Sequence, residues 1–258
     1  MKVEYRIPNN LIKDVVQKIL VIEDCLVTTP FLLPLYANGS PTLLFQTVKG
    51  YIDTNSNHLT LFGQTVSPKT LTLKDNFTLI AYFFKPFSLS TLFSISAREL
   101  TNNPINLDLI EPSRATELTE QLLNAQSTDE MLLIFDRYIF DLLRTVKTNN
   151  EIMKFATDKI ARNPHNTILQ EVRNNLPLTE RTFQRKFKEQ IGVSPSLFRR
   201  VCQFSAAFAQ LQQRDYRSLT DIAFNNNYTD QSHYINTFKE FTNITPKEYL
   251  YLGNPLKN

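Results

Sequence analysis

The sequence predicts an α+β protein of two domains, with short strands in its first half and helices in its second half. Three observations indicate this class: β-prone runs separated by turn residues, a gapless repeat with helical periodicity, and a shift in charge between the halves. The chain has 258 residues, 42% of them hydrophobic, which is enough for two packed cores. We therefore expect one domain over residues 1–147 and another over residues 148–258.

The first 87 residues carry the strand pattern. Four runs are rich in β-branched and aromatic residues, namely Thr42–Ile52, residues 59–62, Lys69–Leu73 and Phe77–Phe84. Turn-prone residues 53–57 and 74–76 lie between them. Several short strands joined by turns predict a small barrel or sandwich.

Aromatic residues in these runs are candidates for a ligand pocket or for ordinary core. They are Phe45, Tyr51, Phe62, Phe77, Tyr82, Phe83 and Phe84. Because side chains alternate along a strand, Tyr82 and Phe84 should share one face and Phe83 should lie on the other. The pattern leaves open which face is interior.

Residues 88–147 are predicted to be mainly helical, with helices over residues 89–100, 113–123 and 129–146. The last of these carries a wide apolar stripe made of Met131, Leu132, Ile134 or Phe135, Tyr138, Ile139 and Leu142. Such a stripe packs either inside its own domain or against a second subunit, and the spacing does not choose between them.

The last hundred residues contain a gapless repeat with an offset of 51 residues. Residues 187–195 align with residues 238–246, and the same register pairs Phe183 with Tyr234. Each copy reads as helix, turn and helix, with an N-cap at Thr179 or Asp230 and an end at Gly192 or Asn243. Residues 196–214 contain no Pro or Gly and keep helical apolar spacing, so we expect a long helix to join the two units.

The second helix of the first copy has two distinct faces. Phe183, Phe187 and Ile191 are spaced for burial, whereas another face carries Arg181, Gln184, Arg185 and Lys188. Arg can bond guanine and Gln can bond adenine through two hydrogen bonds, while Lys suits phosphate. The alternative is a solvated polar face, but the repeat favours two helices that reach successive major grooves about 34 Å apart.

The motifs of this region resemble those of arabinose-regulator (AraC/XylS) type transcription factors over roughly residues 150–251. The first copy reads TERTFQRKFK from Thr179, followed by GVSP from Gly192. The second copy resembles the family's second signature through DIAF from Asp221, YTDQSHY from Tyr228, and Thr245-Pro246. The resemblance implies a DNA-binding domain of two helix-turn-helix units and seven helices.

The resemblance also implies which residues read bases. In the first unit these positions are Arg181, Gln184 and Arg185, and in the second they are Gln231, Ser232, His233 and Asn236. The chain departs from the family pattern because Asn236 stands where arginine is common, and Asn227 and Asn243 stand where glycine is common. We therefore expect the second unit to read DNA less strongly.

The front half resembles the cupin-like sensor domains of some family members, through segments such as FGQT from Phe62 and ARELT from Ala97. A metal-binding cupin is not expected, because His58 is the single histidine of this half and no ligand cluster surrounds it. We expect no metal and no cofactor, and the sequence leaves open where an effector would bind.

Charge supports the same assignment. Residues 1–147 carry 13 Lys and Arg against 15 Asp and Glu, whereas residues 148–258 carry 15 against 10, a net charge of +5. A basic helical domain favours phosphate contact, although this excess is modest. The candidate phosphate contacts are Lys188, Arg199, Arg200 and Lys239.

The composition argues against an enzyme and against a secreted protein. The five glycines are too dispersed for a P-loop, a dinucleotide fingerprint or a nucleophile elbow. Cys25 and Cys202 lie in different domains, which indicates reduced thiols, and neither a signal peptide nor an apolar run of about 18 residues is present. We expect a bacterial cytoplasmic protein.

The sequence therefore predicts a DNA-binding transcriptional regulator whose front domain senses or dimerises. Double-stranded DNA is the expected partner, and a small-molecule or protein effector, RNA polymerase and a second copy of the chain are further candidates; no membrane partner is expected. Two alternatives remain at this stage. One is a protein-interaction module of the same fold that has lost DNA reading, and the other is a small-molecule-binding protein with an accessory helical domain.

Overall fold

The computed structural model describes residues 1–110, 112–145 and 150–256. Within these residues the front domain contains eight strands, and they are β1 (Lys2–Arg6), β2 (Val16–Cys25), β3 (Phe31–Leu35), β4 (Thr42–Ile52), β5 (Asn55–Phe62), β6 (Lys69–Leu73), β7 (Phe77–Phe84) and β8 (Ile105–Asn106). The expected bounds of β4, β6 and β7 are confirmed. β5 begins at Asn55, four residues earlier than expected, so the turn before it is shorter.

The strands form one antiparallel sheet in the order β1-β2-β7-β4-β5-β8. β3 pairs with β6, and β6 returns to β4 where Tyr51 lies opposite Thr72, which curls the sheet into a small barrel. Central pairs such as Val21 opposite Ile80 fix the register. The prediction of a small β-barrel domain is confirmed.

The two faces of this sheet pack against different partners. Phe45, Tyr82 and Phe84 lie on the face that is covered by helices. Phe62, Phe77 and Phe83 lie on the opposite face, which closes on β3 and β6. The predicted alternation at residues 82–84 is confirmed, and the barrel interior belongs to the Phe83 side. Tyr51 is partly exposed and lies beneath the ammonium group of Lys74, so it lines neither core.

Three helices of the front domain cover the sheet: α1 (Ser88–Phe93), α2 (Pro112–Asn124) and α3 (Thr128–Thr145). Most of the α3 stripe is buried in the helix-covered core, including Met131, Phe135 and Ile139, so the intramolecular interpretation is confirmed. The expected helix over residues 89–100 is wrong beyond Phe93. Ser94 adopts a left-handed conformation with φ of 53°, and the chain turns away there. β8 adds a short strand inside the region that we expected to be helical.

The C-terminal domain is all helical over residues 150–256, as expected. Seven helices are seen in this range: α4 (Glu151–Arg162), α5 (Ile168–Asn174), α6 (Glu180–Ile191), α7 (Pro195–Gln213), α8 (Leu219–Asn225), α9 (Gln231–Thr242) and α10 (Pro246–Leu252). The proposed boundary between residues 147 and 148 lies outside the described residues. It therefore stays a prediction.

Capping explains where the repeated helices begin and end. The side chain of Thr179 accepts a hydrogen bond from the backbone N–H of Thr182, and Asp230 does the same for His233. Gly192 and Asn243 end the two helices in left-handed conformations, with φ of 99° and 64°. These four predicted caps are confirmed.

Each unit packs around its own core, and α7 contributes to both. Phe198 belongs to the core of the first unit with Phe183 and Phe187, whereas Phe204 belongs to the core of the second unit with Phe238. The front domain reaches both cores, through Phe87 in the first and Ala37 in the second. The two domains therefore share apolar packing.

Candidate DNA-binding surface

The first helix-turn-helix unit consists of α5 and α6. Phe183, Phe187 and Ile191 are buried, which turns the opposite face of α6 outward. Four polar side chains on that face are exposed: Arg181, Gln184, Arg185 and Lys188. Two of them have neighbours on their own helix, since Gln184 Nε2 donates to Glu180 Oε1 at 3.2 Å and Arg185 lies 3.6 Å from Glu189. Both contacts are at the surface and can exchange for contacts with a nucleic acid.

The second unit consists of α8 and α9. Ser232, His233 and Asn236 are exposed on α9, whereas Gln231 is half-buried and accepts a 2.6 Å hydrogen bond from Thr220 Oγ1. The ring of His233 packs edge-on against Tyr228, with centroids 5.3 Å apart. This unit therefore presents a smaller face without arginine. Ile235 is half-buried and packs on the core of this unit.

The two units are held at the ends of α7, whose 19 residues correspond to about 28 Å. Buried Gln203 fixes the second unit to this helix, because its Nε2 donates to the carbonyls of Asn226 and Asn227 at 2.9 Å each. Asn226 in turn donates to Gln210 on the same helix at 2.7 Å. The single long helix that the sequence predicts between the two units is confirmed.

The four candidate phosphate contacts fall into two groups. Lys188 and Lys239 are exposed at equivalent positions of the two repeats. Arg199 donates to the carbonyl of Pro164 at 3.0 Å, and burial lowers its pKa. Arg200 pairs with Glu240 and lies over the ring of Phe241. The structure thus gives both arginines internal partners that the sequence did not reveal.

A pocket of about 250 Å³ lies between the barrel and α7, and the sequence analysis did not locate it. Its barrel wall is apolar and includes Leu20, Phe62 and Phe83 from the interior face. Phe208 and Gln212 of α7 close the opposite side. Phe62 and Phe83 are pocket residues among the aromatic candidates, whereas Phe45, Tyr82 and Phe84 are core.

Lys18 stands at the rim of this pocket. Its ammonium group lies 5.2 Å from the ring centre of Tyr5 and 4.8 Å from that of Phe83. Surrounding apolar atoms lower the pKa of Lys18 by removing water, although the residue as a whole is exposed at the surface. Within the described residues, no carboxylate lies at salt-bridge distance from this ammonium group.

Two comparisons with known proteins cover the helical region. Residues 174–251 match a family described as a helix-turn-helix domain, and this match includes both recognition helices. An uncharacterised helix-turn-helix-type transcriptional regulator of Staphylococcus aureus (strain MSSA476) is 29% identical over 146 residues, and a protein of strain MRSA252 gives the same figures.

By these matches the chain is similar to helix-turn-helix transcriptional regulators, the class that its arabinose-regulator (AraC/XylS) type motifs predict. The relatives from S. aureus are described as transcriptional regulators. The match to the S. aureus proteins covers 54% of this chain but only 18% of their length. This chain therefore corresponds to a small part of those relatives.

Solved structures show the same architecture at low sequence identity. ToxT from Vibrio cholerae O395 superposes with a TM-score of 0.51 at 13% identity, covering 89% of this chain and 98% of ToxT. ToxT bound to (E)-4-(8-methylnaphthalen-1-yl)but-3-enoic acid gives a TM-score of 0.50 at 12% identity, covering 87% and 98%. The predicted arrangement of a front β domain and a helical reader domain is confirmed.

Other features of the chain bear on function. Residues 5–106 match a domain of unknown function, DUF6597. In the described part of the chain, no cluster of three or more His, Cys, Asp or Glu side chains could hold a metal ion, and His58 instead contacts the carbonyl of Gln46 at 3.1 Å. Both cysteines are free, as expected. No helix among the described residues has the length and hydropathy to span a membrane.

Proposed function

We propose that this chain is a sequence-specific transcriptional regulator that inserts α6 and α9 into consecutive major grooves of duplex DNA. The observation that carries the proposal is the mounting of two capped helices, each with an exposed polar face, on the single rigid helix α7. A helix of this kind fits a major groove about 12 Å wide. The similarity to helix-turn-helix transcriptional regulators supports the same function.

Individual residues have separate roles in this proposal. Arg181, Gln184 and Arg185 read bases in the first element, and the second element is read by Gln231, Ser232, His233 and Asn236. Lys188 and Lys239 contact phosphates, since both are exposed. Arg199 and Arg200 are weaker candidates, because a phosphate contact requires them to leave internal partners.

Selection of bound sequences from a random duplex pool tests the proposal. With the full chain, we expect enrichment of a site with two elements whose centres are about 10 base pairs apart. Binding should weaken steeply as salt rises, because phosphate contacts displace counterions. If no sequence is enriched at low salt, DNA reading is wrong and the protein-interaction alternative becomes the better account.

The proposal includes an effector that binds in the pocket beside α7. A volume of about 250 Å³ is slightly below the usual range for drug-sized ligands, about 300–1,000 Å³, so the ligand is small. The apolar wall suits a hydrocarbon or aromatic body, and the unpaired ammonium group of Lys18 at the rim suits a carboxylate. We therefore propose a small apolar carboxylic acid as the effector class.

The acid that is bound in the ToxT structure is a suitable probe for titration calorimetry. We expect it to bind the full chain and to bind the Lys18→Met variant more weakly, while Lys13→Met, which alters an exposed lysine nearby, should have no effect. Absence of binding, or equal loss in both variants, would contradict this ligand class.

The pH dependence of that binding follows from Lys18. Its pKa is lowered in the free protein, and a bound carboxylate favours the charged form and raises this pKa again. The affinity should be constant below the free-state pKa and should fall as the pH rises through the bound-state pKa. The Lys18→Met variant should lack this decline.

The proposal also covers the cellular location of the protein and two partners. A regulator of bacterial promoters acts in the cytoplasm, in keeping with the two free thiols. A second copy of the chain and RNA polymerase are proposed partners. The α3 stripe is not available for the second copy because it is buried in the front domain, although Leu133 of α3 is exposed.

A further inference from the structure

The end of the first recognition helix is held by a loop of the front domain, residues 96–101. The backbone N–H of Ala97 donates to the carbonyl of Glu189 at 3.0 Å, and Thr101 Oγ1 donates to the carbonyl of Gly192 at 2.9 Å. The last carbonyls of a helix have no partner inside the helix. Two of these groups on α6 are therefore satisfied by a different domain.

The contact is close enough to restrict residue 192. A Cβ atom on Gly192 would lie 2.6 Å from Thr101 Oγ1 and 2.8 Å from the carbonyl oxygen of Ala97. The loop thus lies directly on the helix end. It is fixed on its other side by Asn102, whose Oδ1 accepts hydrogen bonds from the backbone N–H groups of Val66 and Ser67 at 2.7 and 2.8 Å.

The same loop faces the side of α6 that we assign to DNA. A groove of about 680 Å³ separates the two, with Ser96, Arg98 and Glu99 on one wall and Arg185, Lys188 and Glu189 on the other. Arg185 is already paired with Glu189. The contacted carbonyl of Glu189 is four residues from Arg185, about 6 Å along the helix. A DNA backbone passing α6 would meet the loop and two carboxylates.

The second recognition helix has no equivalent restraint among the described residues. The position equivalent to Glu189 is Glu240, which pairs with Arg200 of α7. Behind Asn243, Thr242 Oγ1 donates to the carbonyl of Ile244 at 2.9 Å, which is a contact inside the same unit. Only the first copy of the repeat, as far as it is described, ends against the front domain.

One residue connects this loop with the pocket. The backbone carbonyl of Gln64 accepts a hydrogen bond from the backbone N–H of Asn102 at 2.9 Å. The side-chain Nε2 of Gln64 donates to the backbone carbonyl of Gly39 at 3.1 Å. Gln64 is almost fully buried. The neighbouring residues Tyr36, Asn38 and Thr65 line the pocket. Gln64 therefore joins the residue that follows the loop, Asn102, to the segment that lines the pocket.

We propose that residues 96–101 form a clasp by which the front domain restrains the first recognition helix, and that release of this clasp strengthens DNA binding. The inference rests on the proposed DNA-binding function. Beyond that function, the inference names the loop that is released, the face of α6 beside which this loop lies, and Gln64 as the connection between the pocket and the loop.

The direct test is a full-length variant, Thr101→Val/Glu99→Gln, which removes the hydrogen bond to Gly192, a longer one to Ala97 within the loop, and one carboxylate, but preserves side-chain shape. Titrating the selected duplex at fixed salt, we expect the variant to bind about fivefold more tightly, as the loss of one net hydrogen bond of about 1 kcal/mol implies. The matched control is Thr119→Val/Glu120→Gln on α2, where Thr119 also donates to a backbone carbonyl. Equal or weaker binding by the clasp variant, compared with this control, overturns the proposal.

Hydrogen exchange of the same proteins without DNA tests the restraint by itself. In the clasp variant, the amides of residues 189–193 should exchange faster, whereas those of residues 240–244 should be unchanged. Unchanged exchange at residues 189–193 overturns the clasp. If the wild-type chain selects no DNA, the proposed function fails while this exchange result still decides whether the restraint exists.

Discussion

The two helix-turn-helix units have the same architecture but depend on different neighbours. In the first, Phe187 packs against Phe183 and Phe198, with centroids 5.5 and 5.6 Å away, and the helix ends on the front domain. In the second, the equivalent Phe238 meets four rings, those of Phe204, Phe208, Tyr234 and Tyr249.

This difference suggests a division of roles between the two copies of the repeat: the second contributes more to stability, and the first is the one open to regulation. The second unit is held by aromatic packing on α7 and α10. Because α7 is common to both units, the second unit and α7 together form a fixed reference for the position of the first unit. Both units contact the front domain through apolar packing, but the first unit carries the arginines of the predicted reading face, and its recognition helix is the one whose end is hydrogen-bonded by the front domain. Signals from the front domain should therefore act on the unit that contributes most to DNA recognition.

The largest expected effect comes from the equivalent core phenylalanines. Phe187→Ala and Phe238→Ala should each lower the free energy of unfolding by about 3–5 kcal/mol, because both side chains are fully buried. The loss at Phe238 should be the larger, since more rings surround it. Urea unfolding measures both values, and a clearly larger loss at Phe187 would contradict the contrast in packing.

Base reading should also differ between equivalent positions. Arg185→Ala should cost about 1–3 kcal/mol of binding free energy on the selected site and relax the preference at one base pair. At the equivalent position of the second unit, Asn236→Ala should cost less, and Asn236→Arg should strengthen binding. Anisotropy titrations with the selected duplex and with single-base variants test this. Equal losses at residues 185 and 236 would show that the second unit reads as strongly as the first.

Alanine at the two helix ends sharpens the comparison further. Both positions are left-handed, which costs an ordinary residue about 1–2 kcal/mol. Gly192→Ala should destabilise the protein more than Asn243→Ala does, because the new Cβ at residue 192 would also crowd the clasp loop. Thermal unfolding of the two variants gives the difference. Equal destabilisation would mean that the loop yields to the added methyl group without cost.

The smallest effect is expected from the lysines. Lys188→Ala and Lys239→Ala should weaken binding to all sequences alike, and each should reduce the slope of log affinity against log salt by about 1. Affinities measured at several salt concentrations give these slopes. An unchanged slope would remove that lysine from the phosphate contacts.

Local patterns in the sequence were sufficient for the repeat and for part of the barrel. The caps at Thr179 and Asp230 and the strands β4 and β7 depend on short-range rules, and their predictions are confirmed. β2 lacks strict alternation and β3 contains Pro34, which explains why neither was predicted.

Features that depend on distant contacts could not be predicted. The helical spacing from Leu89 to Leu100 continues past Ser94, yet Ala97 bonds to Glu189, 92 residues later in the chain, and the helix ends at Phe93. The partners of Arg199 and Arg200 and the pocket beside α7 likewise arise from segments that are far apart in sequence. In contrast, helical periodicity alone was enough to predict the exposed polar face of α6.

The most direct test of the central claim uses the spacing of the two elements in the selected site. Because α7 fixes the distance between the recognition helices, inserting 5 base pairs between the elements should place them on opposite faces of the duplex. We expect affinity to fall at least to that of a site with one element. Unchanged affinity after this insertion would contradict reading by two rigidly joined helices.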